Sequence, residues 1–230
     1  MEILDNIPIQ LDLAKVLKKL RQRNRNEEIE KSIQELIEIA RPIARPKAIY
    51  EVSYVDNKSE DSVDIGGIRF TSRVLRINLD KVERVFPYVV TCGRELDEIN
   101  IPSSELMKSY LLDQVKETVL TLARKYFEDY LKEKYALGRM SRMVPGSLED
   151  WPVTQQKELF SIFGNIEDLI GVRLTDKCLM LPLKSSSGLY FPTEIRFESC
   201  QLCPRESCVG RRAPYDPGLA EKYGIGQPET

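Results

Sequence analysis

The sequence predicts an α+β fold: a mostly antiparallel, twisted sheet with a long central helix and helices at the N-terminus. Three observations lead there. Apolar residues recur at helical spacing ahead of Pro42, short β-rich runs divided by turn residues begin at Ala48, and an apolar stripe stepping by three and four residues runs from Leu112 to Tyr126. With 230 residues, 42% of them hydrophobic, the chain can fill the core of one large domain or two small ones.

Leu13, Val16, Leu17 and Leu20 share one helical face, and Ile29, Ile33, Leu36, Ile37 and Ala40 repeat the pattern until Pro42 interrupts it. Residues 1–46 are therefore expected to form an N-terminal helical segment. Between the stripes, Lys15, Lys18, Lys19, Arg21, Arg23 and Arg25 precede Glu27, Glu28 and Glu30. That arrangement reads as a solvated face with local ion pairs, or as a docking patch for an acidic partner.

From Ala48, the runs AIYEVSYV, IRFTSRVLRINL and PYVVTCG read as strands, separated by DNKSEDS and by Gly66-Gly67. Pro102 and Ser103 then open the long helix, expected to reach about Tyr135. LGRMSRMVPGSLEDWPVTQQKELFSIFG begins as an irregular loop and turns helical after Pro152 until Gly164 stops it. GVRLTDKCLMLPLKSSSGLYF reads as strand, turn, strand, with Ser185, Ser186, Ser187 and Gly188 at a bend. The α+β core thus covers 47–195, a Cys-rich segment 196–216, and a loose polar tail 217–230.

Charge narrows the function classes. With 34 basic and 36 acidic residues the net charge is -2, which gives no global attraction to nucleic acid or to an anionic membrane. Arg205, Arg211 and Arg212 lack the interleaved aromatics of a nucleic-acid-binding module. No apolar run approaches the roughly 20 residues that span a bilayer, and MEILDNIPIQLDLAKVLKKL lacks the pattern of a signal peptide. An odd count of five cysteines then points to reduced thiols in a cytoplasm.

Three of those cysteines, Cys200, Cys203 and Cys208, stand at Cys-x2-Cys-x4-Cys spacing in a chain with no histidine. As thiolates they suit zinc or an iron–sulfur centre, with Cys178 as a fourth ligand and Cys92 in reserve. The competing reading is no metal, with RRAPYD simply closing the domain.

RMSRMVPG has the parts of a compact anion-binding loop. Arg139 and Arg142 offer planar forks for a carboxylate, and Gly146 lets backbone approach a ligand closely. The loop opens an unbroken series: Arg-x-x-Arg-x-x-Pro-Gly, a Trp-Pro-led helix, GVRLTD, a short apolar strand and KSSSGLYF. This series resembles the S-adenosylmethionine-binding activation domain of cobalamin-dependent methionine synthase. The matches are Arg139 to Gly146, Gly171 to Asp176 and Ser185 to Tyr190, with YVVTCGRELDE similar to the strand and turn before the family's long helix. The likeness covers roughly Val85 to Phe191 and implies a methionine synthase activation-domain-like fold.

The resemblance also implies a function, that of a free-standing reactivation subunit for a corrinoid-dependent methyltransferase such as methionine synthase. Such a subunit would bind S-adenosylmethionine for reductive methylation of cob(II)alamin. Cobalamin would belong to a partner protein lacking its own activation domain, and a ferredoxin or flavodoxin would serve as reductant. In that scheme Arg139 and Arg142 take the ligand carboxylate, Val144 and Gly146 offer backbone groups to the ligand with Pro145 between them, Tyr190 stacks on or flanks it, and Glu128 balances the amino or sulfonium charge, with Asp129 and a register shift of one turn as competitors. No residue of the chain is catalytic in the sense of a nucleophile or general base. Ser147 departs from the family's aromatic after the loop glycine. The alternative function is a small iron–sulfur or zinc protein passing electrons to a corrinoid protein.

Overall fold

The computed structural model describes residues 1–5, 7–20, 26–205, 207–208 and 210–225. Its organising element is strand β6 (Arg84–Thr91), whose β-branched and aromatic residues are buried from Val85 through Thr91. On one edge β6 pairs antiparallel with β10 (Ser185–Pro192), from Ser185 opposite Thr91 to Tyr190 opposite Phe86. The other edge is shared by two strands: β2 (Lys47–Tyr50) lies opposite Tyr88 to Thr91, and β3 (Ser53–Lys58) opposite Arg84 and Val85.

That shared edge changes hands at Pro87. The Pro87 carbonyl accepts from Glu51 N–H at 3.1 Å, so the missing proline donor faces Glu51 and Val52, where the ladder passes from β2 to β3. A proline in a central strand is tolerated where no partner needs its N–H. The sheet then extends through β4 (Ser62–Ile65) and β5 (Ile68–Thr71), joined by Gly66 and Gly67 at φ 57° and 78°, as a tight two-residue hairpin requires. Strand β1 (Glu2–Leu4) adds to the free edge of β2, and β7 (Met140–Met143) to that of β10. Among the described residues the sheet has eight strands, every pair antiparallel.

Alternation sorts the side chains to two faces. Ala48, Tyr50, Phe86, Tyr88, Val90 and Tyr190 meet α1 (Leu13–Leu20), α2 (Glu27–Ile43) and the long α4 (Leu106–Lys134) in one cluster. Asn26 caps α2, accepting from Glu28 and Ile29 N–H at 3.0 and 3.3 Å, which contributes about 1 kcal/mol. Lys19 reaches from α1 to Glu117 Oε1 and Thr121 Oγ1 on α4 at 2.8 and 2.7 Å, so part of the basic run is spent on packing helices together. Arg21, Arg23 and Arg25 of that run lie outside the described residues. The opposite face buries Val85, Met143, Leu189 and Phe191 against α3 (Arg73–Asn78), α5 (Gln156–Ser161) and α7 (Pro217–Lys222). A smaller cluster joins Ile49 and Val89 to α6 (Ile166–Ile170). No helix among the described residues is long and apolar enough to cross a membrane.

Several expectations differ from the structure. Met140–Met143, expected as irregular loop, pairs with β10 as β7, Glu2–Leu4 is a strand within the segment expected to be helical, and α4 starts at Leu106 rather than at Pro102. IRFTSRVLRINL is not continuous strand: Ser72 ends β5 and caps α3, its hydroxyl accepting from Leu75 N–H at 2.9 Å, while Asp150 accepts from Ser72 Oγ and from Arg73 and Val74 N–H at 3.2 and 3.0 Å. Pro42 does not interrupt its helix, because it falls in the last turn, and Ala44 N–H closes on Ala40 O at 2.9 Å. Ser185 to Gly188 form no bend but the first half of β10. The tail is not loose after Pro217: Asp216 caps α7, and Tyr223 stacks on Phe197 with centroids 5.7 Å apart and donates to Asn78 Oδ1 at 3.2 Å. The last residues, 226–230, lie outside the described ones.

Two stability measurements check this account. At Gly188 a Cβ would sit 2.3 Å from Met143 O, so Gly188→Ala is expected to cost about 2 kcal/mol or more by overpacking. A urea midpoint unchanged from wild type would contradict the close β7–β10 approach. Asp150→Ala removes a helix cap supplied from a distant segment and is expected to cost about 1–2 kcal/mol, read in the same titration.

Candidate functional site

Arg142 enters the site from β7, directly opposite Tyr190 of β10. The period of two puts Arg142 on the α4 side of the sheet together with Met140, and sends Ser141 and Met143 to the other side. On that side Arg142 Nη1 approaches the Tyr88 hydroxyl at 3.5 Å, and Tyr88 packs against Tyr190 and Phe127 with centroids 4.8 and 5.6 Å apart. Helix α4 brings Arg124 and Glu128 to the same place, one turn apart and flanking Phe127.

The electrostatics are unusual. Arg124 makes no hydrogen bond or ion pair with any described residue, and Arg142 has no carboxylate in salt-bridge contact. Burial, followed by the neighbouring Arg142 charge, pulls the Arg124 guanidinium below its ordinary value. At Arg142 burial opposes the charge, but Tyr88, Tyr190 and the more distant Glu198 outweigh it and hold the guanidinium above its ordinary value. Two half-buried cations therefore share one low-dielectric surface, an arrangement complementary to an anion. Burial, then Tyr88, pushes the Tyr190 phenol up, so Tyr190 stays neutral.

Among the acidic candidates, Glu128 is half-buried toward Tyr190 and held by Lys132 Nζ at 2.5 Å, while Asp129 points outward to Lys125 at 2.9 Å. Tyr190 is only 2% exposed, so its ring forms the floor of the site and offers a ligand little more than an edge. Arg139 does not join Arg142. It precedes β7 on the exposed side and donates to Glu194 O at 2.5 Å, tying the β7 and β10 ends together.

The loop after β7 is braced from within. Gly146, at φ 79°, donates to Trp151 O at 2.7 Å, and a Cβ there would lie 2.9 Å from Val153 Cβ. The Val144 carbonyl accepts from Ser147 N–H and Oγ at 3.1 and 2.7 Å, and Pro145 is buried. The glycine thus serves an approach of chain to chain, and the Gly146 N–H and Val144 carbonyl are already used by the protein. Trp151 is fully buried edge-on to Phe70, with Nε1 donating to Gln155 Oε1 at 3.1 Å, and belongs to the core. Sequence reasoning missed Arg124 and Tyr88 as site residues. The available signal was a basic residue four before Glu128, inside the apolar stripe of α4.

The cysteines divide. Cys92 is buried, its thiol pushed up to about 12 by burial and then by Asp97. Cys178, at φ 59°, turns its sulfur to Thr154 O at 4.0 Å. Cys200 is half-buried: burial opposes its thiolate, yet the Arg212 N–H, 3.5 Å from the sulfur, and the Arg212 guanidinium lower the thiol below its ordinary value. Among the described residues no three Cys, Asp or Glu side chains are arranged to hold a metal. The guanidinium of Arg211 instead fills the middle of the segment, donating to Cys200 O, Cys203 O and Ala213 O at 3.0, 3.0 and 3.1 Å and also to Arg205 O.

Two concavities lie away from the arginine pair. One of about 390 Å³ is lined by Lys47, Arg94, Glu95 and Gly171 among others, and the Glu95 Oε2 buried there has no hydrogen-bond partner among the described residues. Another of about 430 Å³ is lined by Ile7, Ile9, Arg41 and Pro46 among others. The first takes in Gly93 to Glu95 and Gly171 from two of the motifs noted in the sequence, but neither includes a residue expected to touch the ligand or a metal.

Iodoacetamide labelling near pH 8 checks the thiol environments. Cys200 is expected to react well ahead of Cys92, whose thiol remains protonated and enclosed. Labelling of Cys92 first in the native protein would refute both environments.

No family model and no curated protein matches the chain. A solved structure does: the MetH reactivation domain bound to AdoHcy matches with a TM-score of 0.52 at 15% identity, covering 86% of this chain and 81% of that one. At that identity the likeness speaks to architecture. The chain has the fold of the methionine synthase reactivation domain, an α+β sheet with its long helix laid across one face.

Proposed function

We propose that this chain binds S-adenosylmethionine and serves as a reactivation subunit for a corrinoid-dependent methyltransferase. The observation that carries the reading is the pair Arg124 and Arg142, two half-buried guanidiniums with no carboxylate in salt-bridge contact among the described residues, on the fold that a reactivation domain uses to hold AdoHcy. A buried like-charge pair costs stability, and an amino acid carboxylate is the ligand group that relieves it.

In this reading Arg142 and Arg124 bind the methionine carboxylate of the ligand, and Glu128 lies on the same face for its ammonium or sulfonium. Tyr88, Tyr190 and Phe127 form an apolar floor that excludes water beneath it. A partner's cob(II)alamin would be the substrate: once supplied with one electron it would accept the methyl group as the carbon–sulfur bond breaks, with S-adenosylhomocysteine as the leaving group. The chain itself moves no proton and forms no covalent bond. It orients the sulfonium and keeps the surface dry, which is where the rate advantage of a bound donor arises. A ferredoxin- or flavodoxin-class reductant would supply the electron to the partner.

Three measurements follow from the arginine pair. Arg142→Ala is expected to weaken S-adenosylmethionine binding by about 2 kcal/mol, roughly thirtyfold in Kd, with the fold intact by circular dichroism. Equal affinity in titration calorimetry would sink the assignment. Arg124→Met should also lose affinity while the free protein keeps or gains stability, because one of two repelling buried charges is removed. A loss of stability with unchanged affinity would mean that Arg124 is structural. Finally, the isolated chain is expected to methylate nothing, but to support methylation of a partner's cob(II)alamin when given S-adenosylmethionine and a low-potential reductant. Tightly bound cobalamin in the isolated chain would contradict that division of labour.

A further inference from the structure

The segment 196–216 is fastened to the loop that carries Arg142. Ser199 Oγ lies 3.2 Å from Ser147 Oγ, Phe197 N–H donates to Ser141 Oγ of β7 at 2.7 Å, and Arg212 pairs with Glu198 at 3.2 Å. Within this segment Cys200 and Cys203 sit at the two ends of one turn: Cys203 N–H donates to Cys200 O at 3.4 Å, following the 3-10 turn Ser199–Gln201. Residues three apart in such a turn have Cα atoms within about 7 Å, and a disulfide spans about 4.4–6.8 Å.

We propose that Cys200 and Cys203 are a dithiol–disulfide couple whose state acts on the Arg142 loop. The single guanidinium of Arg211 grips both carbonyls, Cys200 O and Cys203 O, each at 3.0 Å, so the two residues are held in register whether or not their sulfurs are joined. The sulfurs are not equivalent. Cys200 Sγ accepts the Arg212 N–H at 3.5 Å, whereas Cys203 is packed against the apolar cluster under β7 and β10. That asymmetry makes Cys200 the attacking sulfur and Cys203 the resolving one. Cys208 is exposed and stands outside the turn.

The co-reactant is a low-molecular-weight disulfide such as glutathione disulfide. Cys200 sulfur attacks one glutathione sulfur, forming a mixed disulfide and breaking the glutathione S–S bond, and the released glutathione takes up the proton Cys200 gave. Cys203 sulfur then attacks Cys200 sulfur, closing the intramolecular bond and releasing the second glutathione with the second proton. Two protein thiols are oxidised and one glutathione disulfide is reduced to two thiols.

The test equilibrates the full chain, purified anaerobically, with glutathione and its disulfide, then alkylates, maps the thiols by mass spectrometry and measures S-adenosylmethionine Kd in each state. The couple predicts that oxidation protects Cys200 and Cys203 together, that Cys208→Ser behaves like wild type, and that Cys203→Ser stops at a glutathione adduct on Cys200. A bond from either residue to Cys208 in the wild type, failure to oxidise in excess glutathione disulfide, or stoichiometric iron or zinc protecting all three thiols in the reduced protein overturns it. The action on the loop rests on the proposed S-adenosylmethionine reading and predicts affinities differing about fivefold or more between the two states. Equal affinities overturn that action. Absence of binding in both states overturns it together with the proposed function, while the thiol map decides the couple separately.

Discussion

The structure depends on β6 being a central strand with both edges taken and both faces covered. Burial from Val85 to Thr91 leaves no backbone donor or acceptor there free to meet water, so its ladders with β10 on one side and with β2 and β3 on the other are obligatory. Pro87 removes one donor and thereby marks where β2 must yield to β3. Every side chain of the candidate site is placed relative to this ladder. Tyr88 lies on β6, Tyr190 beside it on β10, Arg142 beside that on β7, and α4 is laid across them.

Against this well-satisfied frame the arginine pair is a local conflict. Several cations nearby are matched: Lys132 with Glu128, Lys125 with Asp129, Lys184 with Asp113. Arg124 and Arg142, both half-buried, have no such partner among the described residues and repel one another. Sequences are on the whole consistent across levels, and violations gather where function requires them. Here the violation has a definite sign, an excess of positive charge beside an aromatic floor, which in the proposed reading a ligand carboxylate would balance.

The loop beneath Arg142 and the cysteine segment beyond it form a second layer of support. Gly146, Val144 and Ser147 are committed to internal hydrogen bonds, so the loop is rigid before any ligand arrives, and preorganisation of that kind spares the cost of ordering on binding. The cysteine segment is closed by Arg211 through backbone carbonyls and stacked onto the second core by Phe197 and Tyr223. Its thiols are therefore carried on an element that is itself anchored to the site.

Much of this was readable in the residues alone. The apolar stripes of α1, α2 and α4 and the β-branched runs around β6 follow from local periodicity, since burial of one face is the same physical demand in any fold. Arg142 was likewise singled out by type and spacing, Glu128 only through the resemblance to the activation domain, and Trp151 was expected in the core, where it lies. Tertiary structure decided the rest, because each remaining choice depends on a partner far away in the chain. Ser72 begins a helix because Asp150 supplies the second half of its cap. Ser185 to Gly188 extend into strand because Thr91 to Tyr88 lie beside them, and Gly188 is required because Met143 O passes too close for a Cβ. Arg139 and Arg142 share a loop motif, yet strand alternation sends them to opposite sides, and Arg124, invisible in the motif, takes the vacant place because one turn of α4 separates it from Glu128. Periodicity is local and survives in the sequence, whereas the meeting of charges across a sheet is set only when the strands have paired.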